Sequence, residues 1–270
     1  MEDELGQQVR RLVFGEDAER YDRARPSYPA ALIDDLVGWV GADARVIDVG
    51  CGTGKGTRLL AGRGMTGVGV EPHPAMAAVA RSSLAEHPGW RVDIADFEAW
   101  VPSAGDAPAD LVAAAQSWHW VDPSAGLRKA HDLLRPGGWL ALWWNLSDDD
   151  PSEVRREIDA VYADHGDAQV GGPRLDRTGS SPFDARPDDP RFDPDPGYPT
   201  FEEPVRRVYR WTRTYSTAEL IDLQGTHSDH RLMAPNEVEP LLAAVAAVVD
   251  RHGGTYDHRY ACLLWAAQRR

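Results

Sequence analysis

Cysteine is almost missing from this sequence. Cys51 and Cys262 are the only two among 270 residues, too few for a disulfide framework and without the paired spacing of a zinc site. Basic residues are also short: 29 Lys and Arg against 43 Asp and Glu leave a formal charge of −14, which opposes the phosphate attraction that nucleic-acid binding relies on. No apolar run approaches the ~20 residues of a membrane span, and residues 1–11 are charged and mixed, without the apolar centre of a secretory leader. The expectations are a cytoplasmic protein, monomer or homodimer, acting on small molecules without metal, nucleic acid or membrane. An apolar fraction of 42% over this length is ordinary for a globular chain with a sizeable core.

What is present is concentrated between Val46 and Thr57, VIDVGCGTGKGT. The run Arg45 to Val49 has the length and β-branched content of a buried parallel strand, and Gly50, Gly52 and Gly54 supply a turn that bulkier residues cannot make. A small ligand can lie against such bare backbone. A phosphate-cradling P-loop would need glycine where Val49 stands and Ser or Thr where Gly56 stands. A dinucleotide fingerprint would need a third glycine where Lys55 stands, which weakens that reading without removing it.

The remaining pattern, G-x-G-x-G with Asp48 two residues ahead, resembles the first motif of the class I S-adenosylmethionine (SAM) methyltransferases. Further landmarks of that family follow in order. A helix is expected over 55–62, and a second strand over 64–71 ends at Glu71, which the resemblance makes the acceptor of the ribose hydroxyls. A helix over 72–86 begins at Pro72. A third strand over 90–98 carries Asp96 and Phe97, matching the family's acid for the adenine amino group and its apolar neighbour of the ring. A fourth strand spans 109–116. The turn 134–138 introduces a fifth over 138–145. A glycine motif alone is weak evidence, but five landmarks in register over about a hundred residues are specific. The resemblance implies an α/β fold, a doubly wound, seven-stranded and mostly parallel sheet, with SAM bound and S-adenosylhomocysteine released.

A second resemblance lies upstream. Residues 14–29, with Tyr21, Arg25, Pro26, Tyr28 and Pro29, are similar to the Y-x-x-x-R-P-x-Y-P element of small-molecule methyltransferases of the trans-aconitate type. There the element folds over the methionine end of SAM. It implies Tyr21 facing the sulfonium and Arg25 pairing with the methionine carboxylate, a cation–π contact and a charged hydrogen bond; Tyr28 falls to the substrate side.

Four regions follow along the chain: a cap over 1–40 with a helix at 30–40; the SAM-binding core over 41–146; a helix at 151–165 and a Pro- and Asp-rich lid or surface insertion within 147–204; and 205–270, which completes the sheet. Proline removes hydrogen-bond donors and the acids resist burial, so 166–204 cannot be a core element. A sixth strand is expected over 205–215 and a seventh over 260–266. Between them lies a helix over 237–251, whose stripe of Leu241, Leu242, Val245, Val248 and Val249 reads as core.

The loop Gln116 to Pro123 follows the fourth strand, where open α/β sheets collect ligands. Gln116 and Ser117 are assigned with Asp48, Gly50, Cys51, Gly52, Gly54, Glu71 and Pro72 to the cofactor. His119 is the candidate base if the nucleophile carries a proton; its bland alternative is to orient the loop or hydrogen-bond the substrate. Trp118, His119, Trp120, Trp144, Trp211 and His227 join Tyr28 as the expected substrate side, with His230 near His227. Such an aromatic wall suits a flat apolar acceptor of specialised metabolism, an indole or phenol methylated at C, N or O. Two other readings stay open: carboxylate O-methylation, for which strand alternation gathers Arg207, Trp211 and Arg213 on one side, and SAM binding without transfer.

Overall fold

The computed structural model of the protein describes residues 17–148, 150–165 and 201–270. They form a seven-stranded sheet of order β3-β2-β1-β4-β5-β7-β6. The strands are β1 Arg45–Val49, β2 Thr66–Val70, β3 Trp90–Asp93, β4 Ala109–Ala115, β5 Leu134–Ser147, β6 Val205–Ser216 and β7 Thr255–Gln268. β3, β2, β1, β4 and β5 are parallel. β7 runs against β5, since Arg269 N–H donates to the Gly138 carbonyl and Asp148 N–H to that of Arg259. The fold is the mixed, mostly parallel α/β sheet expected. Among the described residues no helix is long and apolar enough to cross a membrane.

The described residues divide into two compact units that interleave along the chain: one of 27–145, 201–209 and 262–270, the other of 17–26, 146–165 and 210–261. The first contains helices α2 Ala30–Val40, α3 Lys55–Ala61, α4 Pro74–Ser83 and α5 Pro123–Leu133. Its β1 is the central strand paired on both edges, with β2 and β4, and its Val46, Ile47, Asp48 and Val49 are all buried. The second contains α1 Ala18–Ala24, α6 Glu153–Asp164, α7 Thr217–Gln224, α8 Ser228–Leu232 and α9 Pro235–Arg251. There Leu241, Val245, Val248 and Val249 pack with Ile158, Tyr162, Tyr215, Leu220 and Tyr260, so these four of the expected stripe are core, while Leu242 is half-buried.

Several boundaries differ from those expected. β3 stops at Asp93, because its pairing partner β2 ends at Val70; Asp96 and Phe97 therefore sit in the turn beyond it. The turn 134–138 belongs to β5, with a register shift opposite Ala109 and Leu111. β7 begins five residues early, at Thr255, where Tyr256 and His258 point inward between exposed neighbours. α5 was not anticipated; the Asp122 side chain caps it by accepting from Ala125 N–H at 2.7 Å, and Pro123 occupies its first turn. Most of the expected lid, 166–200, lies outside the described residues, but Phe201 bridges Arg269 in antiparallel fashion and Glu202 N–H donates to the Gln268 carbonyl. On β6, Arg207, Trp211 and Arg213 stand at alternating positions of one continuous strand. Arg207 is exposed, ion-pairs with Asp35 and lies 5.3 Å from the Trp39 ring.

Gly67 allows the β1–β2 approach, since a Cβ there would stand 1.9 Å from the Val46 carbonyl oxygen. Main chain cannot yield as a side chain does, so Gly67→Ala is expected to lower the unfolding free energy by about 3 kcal/mol. Gly38→Ala, on a helix with nothing within 4 Å of the new carbon, is expected to raise it by up to about 1 kcal/mol. Urea denaturation of both variants checks the pair; equal effects would contradict the steric account.

Candidate active site

The glycine turn is fastened at the carboxyl ends of three parallel strands. Gly50, Gly52 and Gly54 have φ of 63°, 58° and 81°, left-handed values costly for residues with a Cβ. From β2, the Val70 carbonyl accepts from Gly50 N–H at 2.8 Å and Cys51 N–H at 3.2 Å. From the β4 side, the Ser117 hydroxyl donates to the Val49 carbonyl, and a Cβ on Gly50 would meet that of Ser117 at 2.5 Å.

Glu71, the last acid of the β2 segment, closes the turn. Its Oε2 accepts from Gly52 N–H and its Oε1 from His73 N–H, each at 2.9 Å. Only 7% of the residue is exposed. Each carboxylate oxygen has two lone-pair directions and can accept from more than one donor, and ribose hydroxyls are donors of that kind.

Beneath the turn, Asp48 is buried at 1% exposure. The Thr57 hydroxyl donates to its Oδ2 at 2.6 Å, whereas Oδ1 has no hydrogen-bond partner among the described residues. Burial, opposed by the Thr57 bond and reinforced by the Glu71 charge, pushes its carboxyl up to about 7. A buried carboxylate oxygen without a donor is costly, and the ammonium of a SAM methionine end supplies the kind of group it lacks. Thr57 as the partner of Asp48 was not foreseen from sequence. Cys51 packs beside Gly69, where a Cβ would lie 2.6 Å from its sulfur; burial pushes the thiol well above its ordinary range, which keeps it protonated.

Asp96 is exposed, and its carbonyl accepts from the N–H groups of Ala99 and Trp100. Phe97 is buried, with its ring 6.0 Å from Trp118 at 52° and Lys129 Nζ 5.3 Å away. Lys129 donates to the carbonyls of Glu98 and Trp100, and burial lowers its pKa. Pro72 is half-buried between Glu71 and His73.

After β4 the chain turns through Gln116, whose φ of 60° is the positive value among non-glycine described residues. That conformation is uncommon for a residue with a side chain. Its N–H donates to the Trp143 carbonyl at 2.9 Å and its Nε2 to the Asn145 carbonyl at 3.1 Å. Trp118 is buried; Trp120 and His119 are half-buried, with rings 4.7 Å apart. Trp144 Nε1–H donates to His119 Nδ1 across 3.4 Å. Accepting there places the proton of a neutral imidazole on Nε2, so the second nitrogen is a donor in this arrangement. Tyr28 meets Trp143 edge-on at 5.9 Å. Trp143 and Trp144 of β5 are both buried.

The other expected residues belong to the second unit. Arg25 lies 5.1 Å over the Tyr21 ring and donates through Nη2 to the Thr226 carbonyl at 2.9 Å. Trp211 stacks on Tyr260 at 4.9 Å and 23°. His227 is half-buried; burial first, then the charges of Arg25, His230 and His258, push its pKa well below the usual histidine range, leaving it neutral. His230 Nδ1 approaches the Gln224 carbonyl at 2.8 Å and its Nε2 the Tyr162 hydroxyl at 3.3 Å.

Comparison with known proteins agrees with this geometry. A methyltransferase-domain family model matches residues 47–142. An uncharacterized methyltransferase of Mycobacterium tuberculosis is 32% identical over 263 residues, 93% of this chain and 94% of its own length. A trans-aconitate 2-methyltransferase of Delftia acidovorans is 41% identical over 105 residues, 37% of this chain and 38% of its own. Among solved structures, a proposed type II methyltransferase from Anaeromyxobacter dehalogenans superposes with a TM-score of 0.59 at 22% identity, over 90% of this chain and 97% of that one; at that identity it speaks for the fold. The fold and these matches define a class I methyltransferase. The chain belongs to this SAM-dependent family of enzymes.

Because folding raises the Asp48 pKa from 3.8 to about 7, the folded state binds more protons than the unfolded one between those values. Stability from this group is therefore present at low pH and declines as pH rises through the window, by up to about 1.4 kcal/mol per unit. Asp48→Asn is expected to remove that decline from urea-denaturation profiles at pH 4 to 7. Superimposable wild-type and variant profiles would contradict a buried, protonatable Asp48.

Proposed function

We propose that this methyltransferase acts on a small acceptor with an aromatic or apolar body, at carbon, nitrogen or oxygen, as in an indole or phenol. The observation that carries the reading is the loop after β4. There the Trp120 ring lies 4.7 Å from that of His119, Trp144 of β5 donates to His119 Nδ1, and Trp118 is buried against Phe97, all in the same unit as the glycine turn. Aromatic surfaces around a few placed polar groups suit flat acceptors.

Bound SAM supplies an electrophilic methyl on a sulfonium that already carries the positive charge. The chain's task is then to align the acceptor and exclude water. Glu71 holds the ribose hydroxyls, the bare main chain of Gly50 to Gly54 admits the nucleoside, Asp96 reaches the adenine amino group and Asp48 Oδ1 receives the ammonium. Cys51, Pro72, Phe97, Gln116 and Ser117 shape that seat. His119 serves the acceptor side: with its proton on Nε2 it hydrogen-bonds the acceptor, and it becomes a base when Nδ1 gives up Trp144 and the ring changes tautomer. Carboxylate O-methylation is the second reading, favoured by the partial match to trans-aconitate 2-methyltransferases.

Incubation with methyl-labelled SAM and a panel of aromatic metabolites, amines and carboxylic acids tests the acceptor class by mass gain of one methyl group. Turnover confined to aliphatic amines would contradict it. In calorimetry Glu71→Ala is expected to weaken SAM binding by about 10- to 100-fold, as for loss of hydrogen bonds to a charged group. His119→Ala is expected to leave SAM binding within about twofold while lowering turnover by at least about a hundredfold; equal loss of cofactor affinity in both variants would remove His119 from the acceptor side.

A further inference from the structure

We propose that Lys129 of α5 is a positioning residue for the cofactor's base: it holds the turn 96–100 in the place from which Asp96 tells adenine from other purines. The inference rests on the reading of Asp96 as the partner of the adenine amino group and adds the side chain that sets where that carboxylate stands. All the residues involved belong to the unit that holds the glycine turn. Lys129 Nζ donates to the carbonyls of Glu98, at 3.1 Å, and of Trp100, and stands 5.3 Å from the centre of the Phe97 ring. Lys55 and Lys129 are the only lysines in a sequence otherwise supplied with arginine. A compact ammonium can aim its three donors at separate groups, which a planar guanidinium cannot.

The turn depends on that hold. Within it the Asp96 carbonyl accepts from Ala99 N–H at 3.1 Å and Trp100 N–H at 2.9 Å, while the carbonyls of Glu98 and Trp100 are turned to α5. Phe97 and Trp100 are buried, and the Trp100 indole N–H donates to Asp93 Oδ2 at 2.9 Å, which anchors the turn to the end of β3. Apolar burial is non-directional; it keeps the two rings inside without fixing how the main chain between them is rotated. Close packing against α5 does not fix it either. A groove of about 510 Å³, lined by Trp100, Val101, Pro102, Ala125 and Leu133 among others, runs between turn and helix, and Val101 is 77% exposed. Polar ties cross this groove: Lys129, and the Glu98 carboxylate, whose Oε1 accepts from Asp122 N–H at 2.8 Å. The Glu98 tie is exposed and competes with water, whereas burial takes Lys129 partly out of water and lowers its pKa against the charge of Glu98. A charge held partly out of water adds little stability, and an apolar side chain of its length would pack there as well. What an apolar side chain cannot do is draw two carbonyls to one point, and with them Asp96, two residues before Glu98.

Calorimetry of the full chain with S-adenosylhomocysteine and with S-inosylhomocysteine, which carries an oxo group in place of the adenine amino group, tests the role. Wild-type protein is expected to bind the adenine compound at least about tenfold more tightly, since the oxo group sets an acceptor against the Asp96 carboxylate. Lys129→Met keeps the stem and removes the ammonium. It is expected to reduce that preference to within about threefold, while its urea midpoint stays close to the wild-type value. A side chain that only supports the fold would lower the midpoint and weaken both ligands alike, so an unchanged ratio in Lys129→Met overturns the role. Lys129→Gln serves if circular dichroism shows the Met variant unfolded; unfolding of both makes the lysine a structural group and overturns the role as well. Wild-type protein that binds both compounds equally removes the contact to Asp96, and the positioning role falls with it. Wild-type protein that binds neither overturns the cofactor seat on which both depend.

Discussion

The arrangement depends on one carboxylate held by main chain. Glu71 bonds Gly52 N–H with one oxygen and His73 N–H with the other, so the glycine turn after β1 and the start of α4 after β2 are tied to the same buried charge. Hydrogen bonds to an ionised group are about twice as strong as neutral ones. The tie fixes the turn without a bulky side chain, and the cradle stays open. Gly50, anchored on Val70 and pressed against Ser117, carries the same constraint toward β4, so that the ends of β2, β1 and β4 act together.

That constraint explains why the loop after β4 takes a strained path. Ser117 must reach the Val49 carbonyl, and Gln116 meets this demand with φ of 60°, held by bonds to Trp143 and Asn145 of β5. Strain of this kind persists where surrounding structure over-determines it, and it gathers at functional sites. His119 follows within three residues, with its tautomer set by Trp144. The tryptophans around it supply the rigid surfaces between which one titratable ring is placed.

The glycine turn, Glu71, β1 and α2 were legible because each rests on local pattern: β-branched runs, left-handed positions and helical spacing. The end of β3 was not, since it is set by where β2 stops, a property of the partner strand. α5 has few apolar residues, and its Asp-Pro start was read as part of the loop. The early part of β7 carries Asp257 and Arg259 between inward Tyr256 and His258, so a search for apolar runs passes it by. Lys129 was missed together with α5: its partners are main-chain carbonyls, which no sequence pattern displays. Thr57 under Asp48 likewise shows its role only once α3 is seen to begin at the turn.

The most direct test of the central claim is a crystal structure of the protein with S-adenosylhomocysteine. The account predicts both ribose hydroxyls on the Glu71 carboxylate, with Gly52 N–H and His73 N–H still bound to it and the nucleoside lying on the main chain of Gly50 to Gly54. A nucleoside seated elsewhere, or a Glu71 carboxylate without any ribose contact, would contradict it.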